Sequence, residues 1–253
     1  MFFIYQKRGN KLNNDDRQIS IQPLTIAYSL QAVAFLLITI NIVEQFAKYK
    51  LNYHHDRLLA LFDLSLEMNI PTFYSVLLLL FASLLLLLIT LLQAKQRNKY
   101  VAKWAILSLG FLYMAYDDAF QVHEDLVGVI RPYLWDGNLG PFYYAWVIPA
   151  LVLVVMLALF FRKFIHHLPS VTRKTFILAA TCYLGGCIGF EMIGGYYHES
   201  HGGFNSLTYN LISSIEEGLE MTGVILFIYA LLEYLATSWE TISFQFASAL
   251  PKQ

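Results

Sequence analysis

The chain has 253 residues, of which 57% are hydrophobic and 14% are charged, and its formal net charge at pH 7 is −1. Its length would fit one or two soluble domains, but so apolar a composition excludes an ordinary soluble domain and is typical of a polytopic membrane protein. The sequence contains no Gly-rich phosphate loop and no basic aromatic patch, so we expect no nucleic-acid partner.

Six apolar stretches predict transmembrane helices, because each is near or above the ~20 residues that cross ~30 Å of hydrocarbon. They lie at residues 24–47, 71–94, 101–130, 142–164, 174–197 and 207–237. We therefore predict an all-α fold, a six-helix transmembrane bundle over residues 24–237. The N-terminal tail, 1–23, and the C-terminal tail, 238–253, flank it.

The basic residues predict the orientation of this bundle. With six spans, 13 of the 17 Lys and Arg residues lie on the side that holds both tails. Cytoplasmic segments carry an excess of Lys and Arg, so both termini are expected in the cytoplasm. The expected location is a bacterial plasma membrane or internal membrane.

The acidic residues have the opposite distribution. Of the 18 Asp and Glu residues, 14 lie in outer connections or in the outer halves of spans. The end of the third span, the end of the fifth and the start of the sixth all face that side, which brings distant residues to one depth. Charged groups at such depth are costly and normally have a partner or a role.

The first two spans show little polar patterning. The first is rich in Ala, Leu, Ile and Val and indicates a plain anchor. The connection after it alternates apolar and acidic residues, as an interfacial amphipathic helix does. Pro71 begins the second span in the first helical turn, where its missing N–H does no harm. That span is almost solid leucine, so we expect it to face lipid and to carry no chemistry.

The third span carries the sequence YDDAFQVHED, residues 116–125. On a continuous helix at 100° per residue, its four carboxylates and Gln121 fall within an arc of roughly 120°. His123 points to nearly the opposite side unless a π-bulge distorts the helix. The loop that follows is aromatic, which indicates anchoring at the membrane surface. Its aromatic residues include Trp135, Tyr143, Tyr144 and Trp146.

The fifth and sixth spans also carry polar faces. In the fifth, Gly185 and Gly189 form a small-xxx-small pair that permits close helix approach. Glu191 and His198 are seven residues apart and so share a face. In the sixth, three carboxylates share a face with two polar residues. These residues are Asn210, Ser213, Glu216, Glu217 and Glu220.

If these faces meet, the carboxylates cannot all be ionised and unpaired, because an uncompensated charge is costly in a low dielectric. Carboxylates with one or two histidines inside a helical bundle are the ligand set of di-iron and di-manganese proteins, and they also suit zinc. We therefore predict a divalent metal site for Fe, Mn or Zn, which could activate water or oxygen against a lipid-borne substrate. The candidate ligands are Asp117, Asp118, His123, Glu124, Glu191, His198, Glu216, Glu217 and Glu220.

Two other classes of function stay open. Chains of intramembrane Asp, Glu and His also relay protons or coordinate transported cations, so a transporter or channel is the first alternative. A buried polar network that fixes helix packing in a structural or sensory subunit is the second. The expected partners are membrane lipid and either a lipid-borne substrate or a cation.

Four stretches carry a resemblance to a known group of proteins. They are NIPTFYS, YDDAFQVHED, GFEMIGG and EEGLEM. The chain from Asp63 to Tyr234 resembles a group of uncharacterised polytopic bacterial membrane proteins, in which an Asp-x-x-x-x-His-Glu line precedes a Glu-rich final span. The resemblance implies the same membrane topology and implies no particular activity.

Overall fold

A computed structural model describes residues 2–5, 22–53, 56–134, 137–239 and 241–246. The helices are α1 (Pro23–Leu51), α2 (Asp56–Phe62), α3 (Ile70–Lys95), α4 (Val101–Phe120), α5 (Val122–Ile130), α6 (Val147–His167), α7 (Ser170–Leu184), α8 (Glu191–His201) and α9 (Leu207–Ser238). A π-helical turn, Gly185–Phe190, joins α7 to α8. Short 3-10 turns lie at Arg131–Tyr133 and Gly140–Phe142.

The predicted all-helical architecture is confirmed, apart from one small ribbon near the chain ends. Strand β1 (Phe2–Tyr5) pairs antiparallel with β2 (Ser243–Phe246), with Phe2 opposite Phe246. Across the described ranges, five helical segments are long and apolar enough to cross a membrane. These are α1, α3, α6, the continuous α7–α8 helix and α9. The remaining predicted span, 101–130, is divided into α4 and α5.

Helix α9 is the centre of the bundle and packs against α1, α3 and α7. The apolar core lies around its C-terminal half, where Ile228 and Leu231 are fully buried. Aromatic rings close the core at that end: the ring centroid of Trp104 is 4.9 Å from that of Phe164 and 5.0 Å from that of Tyr234. Three of the four carboxylates of α9, Glu216, Glu217 and Glu220, lie in its N-terminal half, and Glu233 lies near its C-terminal end.

Helix α3, which its leucines predicted to face lipid, is exposed on one face, at Leu84 and Leu87, and buried on the other. Leu78, Leu86 and Ile89 are buried, and α3 packs along α4. Ser83 Oγ donates to the Ser108 carbonyl oxygen at 2.8 Å, and Ser108 Oγ donates back to the Ser83 carbonyl at 2.9 Å. An all-leucine surface suits lipid and helix neighbours equally well, so composition could not separate the two environments.

Helix α1 contributes more than an anchor, because it carries a buried polar network. Asn41 is 1% exposed, and its Nδ2 donates to Ser214 Oγ on α9 at 2.7 Å. Its Oδ1 accepts from the Leu64 backbone N–H at 3.2 Å. Residue Asn69 then caps α3, accepting from the Thr72 N–H at 3.1 Å. These bonds fix the turn between α2 and α3 against the bundle.

The close helix contacts use different glycines from those predicted. A Cβ added at Gly185 or Gly189 would meet no atom within 4 Å. A Cβ at Gly186 would lie 2.7 Å from the Glu216 carbonyl oxygen, and one at Gly223 would lie 2.6 Å from the Tyr183 backbone N. The π-helical turn shifts the helix face after Leu184, so Gly186 faces α9 instead.

Candidate functional site

The third predicted span is interrupted where its polar sequence lies, so the continuous polar stripe was wrong. Gln121 has a left-handed backbone with φ 57° and ψ 35°, and it separates α4 from α5. This break turns His123 back toward α4, where His123 Nδ1 is 3.2 Å from Asp117 Oδ2. The π-helical distortion considered for this span occurs instead in the α7–α8 helix.

Three potential metal ligands converge beside this break. They are Glu67 in the turn before α3, and His123 and Glu124 on α5. One ligand atom from each lies within 4.8 Å of the other two. His123 Nε2 is 3.4 Å from Glu67 Oε1, with the side chains 22% and 26% exposed respectively. The second oxygen, Glu67 Oε2, is shielded from solvent and has no hydrogen-bond partner in the described structure.

Asp117 fixes the orientation of the His123 ring. When Nδ1 carries a hydrogen and donates it to Asp117 Oδ2, Nε2 holds a lone pair and lies 3.4 Å from Glu67 Oε1. A carboxylate on the second nitrogen of a metal-binding histidine is the usual arrangement in metal sites. Without a metal ion, a proton on Nε2 lets the ring pair with both Asp117 and Glu67.

The remaining acidic residues of the site come from α8 and α9. Glu191 is the first residue of α8, directly after the π-helical turn. Glu216 interacts electrostatically with Glu191, and Glu217 and Glu220 both interact with Asp118. Asp118 of α4 and Glu220 of α9 also line one small cavity, so polar residues of these two helices lie close together.

Of the nine predicted ligands, only His123 and Glu124 belong to the group of converging ligand atoms in the described structure, and His198 lies apart from the acidic residues. The ring of His198 stacks on Phe204 with centroids 3.7 Å apart, and it lies 4.4 Å from the ring of Tyr143. The outer turn of α8 is covered by the loops on either side, so sharing a helical face with Glu191 does not bring His198 to the cluster. Whether any of these residues ligates a metal stays a prediction.

Trp146 belongs to the site as well as to the aromatic loop. Its ring centroid is 5.3 Å from that of His123, and its Nε1 donates to Glu191 Oε1 at 3.3 Å. Tyr144 and Tyr209 share a hydrogen bond of 2.7 Å between their hydroxyls. Trp135 lies outside the described residues.

Glu199 holds the aromatic loop in place. Its carboxylate accepts hydrogen bonds from the backbone N–H groups of Leu139 and Gly140. Arg131 Nη2 lies 4.0 Å from Glu199 Oε1. A Cβ at Gly195 would lie 2.9 Å from Tyr143 Cβ, so the aromatic loop packs closely against α8 at this glycine.

Glu67 belongs to the group of converging ligands but is not among the ligands predicted from the sequence. Its sequence signal was an acid just before the N-terminal cap of α3, in a connection that hydropathy assigned to the interface. The turn around it is held by Asp63 Oδ1, which accepts from Ser65 N at 3.0 Å, and by the Asn69 cap. No periodicity argument predicts where such a turn points.

These features define a helical protein with five helices long and apolar enough to cross a membrane and with an acidic, histidine-containing cluster between α4, α5, α8 and α9. The chain belongs to the family described as Domain of unknown function (DUF8692), whose model matches residues 30–235. The matched range contains every residue of the cluster. No curated protein and no solved structure matches the chain.

Proposed function

We propose that this protein is an integral membrane protein that binds a divalent metal ion through Glu67, His123 and Glu124. The convergence of one ligand atom from each residue within 4.8 Å carries the proposal. Asp117 supports it, because its bond to Nδ1 leaves His123 Nε2 free to ligate, 3.4 Å from Glu67 Oε1. The unpartnered Glu67 Oε2 provides a further free ligand atom.

The ligand types favour Zn, Mn or Fe as the ion. A histidine nitrogen suits these metals, whereas Mg²⁺ and Ca²⁺ prefer oxygen alone. Three protein ligands leave at least one coordination position for a water or a substrate atom, which is the arrangement of catalytic sites.

The membrane topology proposed with this site has six spans and both termini in the cytoplasm. At 20 residues, α4 extends about 30 Å and is long enough to cross. The β1–β2 pairing supports an even number of spans, since it joins residues from both ends of the chain. With Cys182 and Cys187 replaced by Ala, an impermeant thiol reagent outside cells should label Asn138→Cys and spare Lys99→Cys. Equal labelling of both would refute this topology.

The proposal extends to catalysis on a substrate that arrives from the membrane. A divalent ion lowers the pKa of a bound water and polarises carbonyl or phosphoryl oxygens. Glu191 and Glu217 lie beside the ligand set and are the carboxylates available to accept a proton. We expect the purified protein to convert a lipid in a polar lipid extract. A chelator should abolish this conversion, and added metal should restore it. A metal-loaded protein that converts no lipid would remove the catalytic part.

The binding proposal is tested by elemental analysis of the detergent-purified full chain. We expect about one Zn, Mn or Fe ion per chain after growth with added metal, and loss of that ion on dialysis against a chelator. Glu67→Gln should remove most of it, because an amide is a weaker ligand than a carboxylate.

Asp125→Asn is the matched control, since Asp125 is exposed on α5 and lies outside the ligand set. Its metal content should equal that of the natural protein. A natural protein that carries less than about 0.2 ion per chain after mild purification would overturn the proposal.

A further inference from the structure

A small cavity lies deeper in the bundle, between α3, α4, α7 and α9. Its polar lining consists of Ser75, Asp118, Tyr183 and Glu220, and leucine, valine and methionine side chains of α3 and α9 complete it. The volume of the cavity is about 10 Å³. A cavity of that volume is large enough for one water molecule or one ion of similar size.

Two oxygen atoms in the lining have no partner. Asp118 Oδ2 and Ser75 Oγ are both shielded from solvent, and neither has a hydrogen-bond partner among the described residues. Buried polar atoms are nearly always paired, so such orphans indicate a missing partner. Both residues line the same cavity, which locates that partner between them.

We propose that this cavity binds a single dehydrated Na⁺ ion, at a site separate from the divalent metal site. All four polar side chains offer oxygen atoms, and two of them are carboxyl groups, so the lining suits a hard cation and lacks the nitrogen or sulfur that zinc and iron favour. Mg²⁺ retains several waters, and Ca²⁺ needs six to eight ligands, so neither fits so small a space. A water molecule would satisfy the orphan atoms but would bring no charge to balance the carboxyl groups.

The two sites are adjacent through neighbouring residues of α4. Asp117 bonds to His123 at the outer site, whereas Asp118 lines the inner cavity. Asp118 also interacts electrostatically with Glu67 and His123. The inner site depends on Ser75 and Glu220, which are not ligands of the outer one, so each site can be removed without the other.

The test uses the detergent-purified full chain in choline chloride, titrated with NaCl, KCl or further choline chloride at equal ionic strength. Binding of radioactive ²²Na⁺ and the thermal unfolding midpoint are both measured. Na⁺ should bind saturably and raise the midpoint, and choline should do neither. Ser75→Ala should weaken Na⁺ binding roughly tenfold through loss of one charge-assisted contact, and Asp118→Asn should abolish it.

Matched controls separate this site from general effects. Ser29→Ala removes an exposed hydroxyl of α1 that bonds only to its own helix at Thr25, and Asp125→Asn removes an exposed carboxylate. Both should bind Na⁺ as the natural protein does. Glu67→Gln should lose the divalent metal and keep Na⁺ binding, while Ser75→Ala should keep the divalent metal.

Three outcomes would overturn the Na⁺ site. One is an equal response to Na⁺, K⁺ and choline, which would mean that the cavity holds water only. Another is unchanged Na⁺ binding in Ser75→Ala. The third is simultaneous loss of Na⁺ and divalent metal in Glu67→Gln, which would mean that the two sites are one.

Discussion

Replacing His123 by Ala should yield a folded protein that retains no divalent metal after purification. The substitution removes the only nitrogen among the three converging ligand atoms. Asp117→Asn should have a smaller effect, because Asp117 orients the ring and does not ligate. Loss of such an orienting carboxylate typically weakens metal affinity about 10–100-fold. Competition against a chromophoric chelator measures both affinities.

His198→Ala is the matched control for this experiment. The natural His198 ring stacks on Phe204, away from the ligand set, so its removal should leave metal affinity unchanged. Metal loss in His198→Ala equal to that in His123→Ala would contradict the assigned ligands. Binding should also weaken as the pH falls, because a proton and the metal ion compete for Nε2.

Replacing Gly223 by Ala should destabilise the bundle, although alanine is the better helix former. The added Cβ would lie 2.6 Å from the Tyr183 backbone N and 2.9 Å from the Ala179 carbonyl oxygen. Both atoms belong to the backbone of α7, so α7 and α9 must move apart. We expect the free energy of unfolding to fall by roughly 1–3 kcal/mol, the usual cost of overpacking.

Gly110→Ala provides the comparison, because a Cβ at Gly110 on α4 meets no atom within 4 Å. That variant should be as stable as the natural protein or up to about 1 kcal/mol more stable, through helix propensity alone. The measurement is unfolding of the purified protein by heat or by a denaturing detergent. Equal stability of the two variants would show that the α7–α9 contact is looser than the structure indicates.

The sequence predicted that Asp118, Glu191 and Glu217 lie near one another, because a six-span topology would place all three on one side of a membrane. In the structure, Glu217 interacts electrostatically with both Asp118 and Glu191. Their depth in a membrane stays a prediction.

The position of His123 could not be predicted. It depends on a left-handed Gln121, and residues other than glycine rarely adopt that conformation. No glycine or proline marks the break, so helical periodicity placed His123 on the wrong side. The position of Glu67 could not be predicted either. It lies in a turn held by the Asn69 cap, and a turn has no helical periodicity.

The glycines that allow the close contact between α7 and α9 could not be predicted either. The sequence GGCIG offers several small-residue pairs, and the pair that faces α9 depends on the π-helical turn over Gly185–Phe190. Leucine-rich α3 was placed against lipid for a related reason, since its composition is equally suited to protein and to lipid neighbours. In both cases the three-dimensional neighbours, and not the local sequence, determine the outcome.

The aromatic closure formed by Trp104, Phe164 and Tyr234 has a consequence for access to the proposed ion sites. These rings pack within 5.0 Å of Trp104 at the end of the bundle away from Glu67, His123 and Glu124. An ion bound at the proposed sites would therefore exchange with the medium at the other end, and its occupancy would follow the composition of that medium.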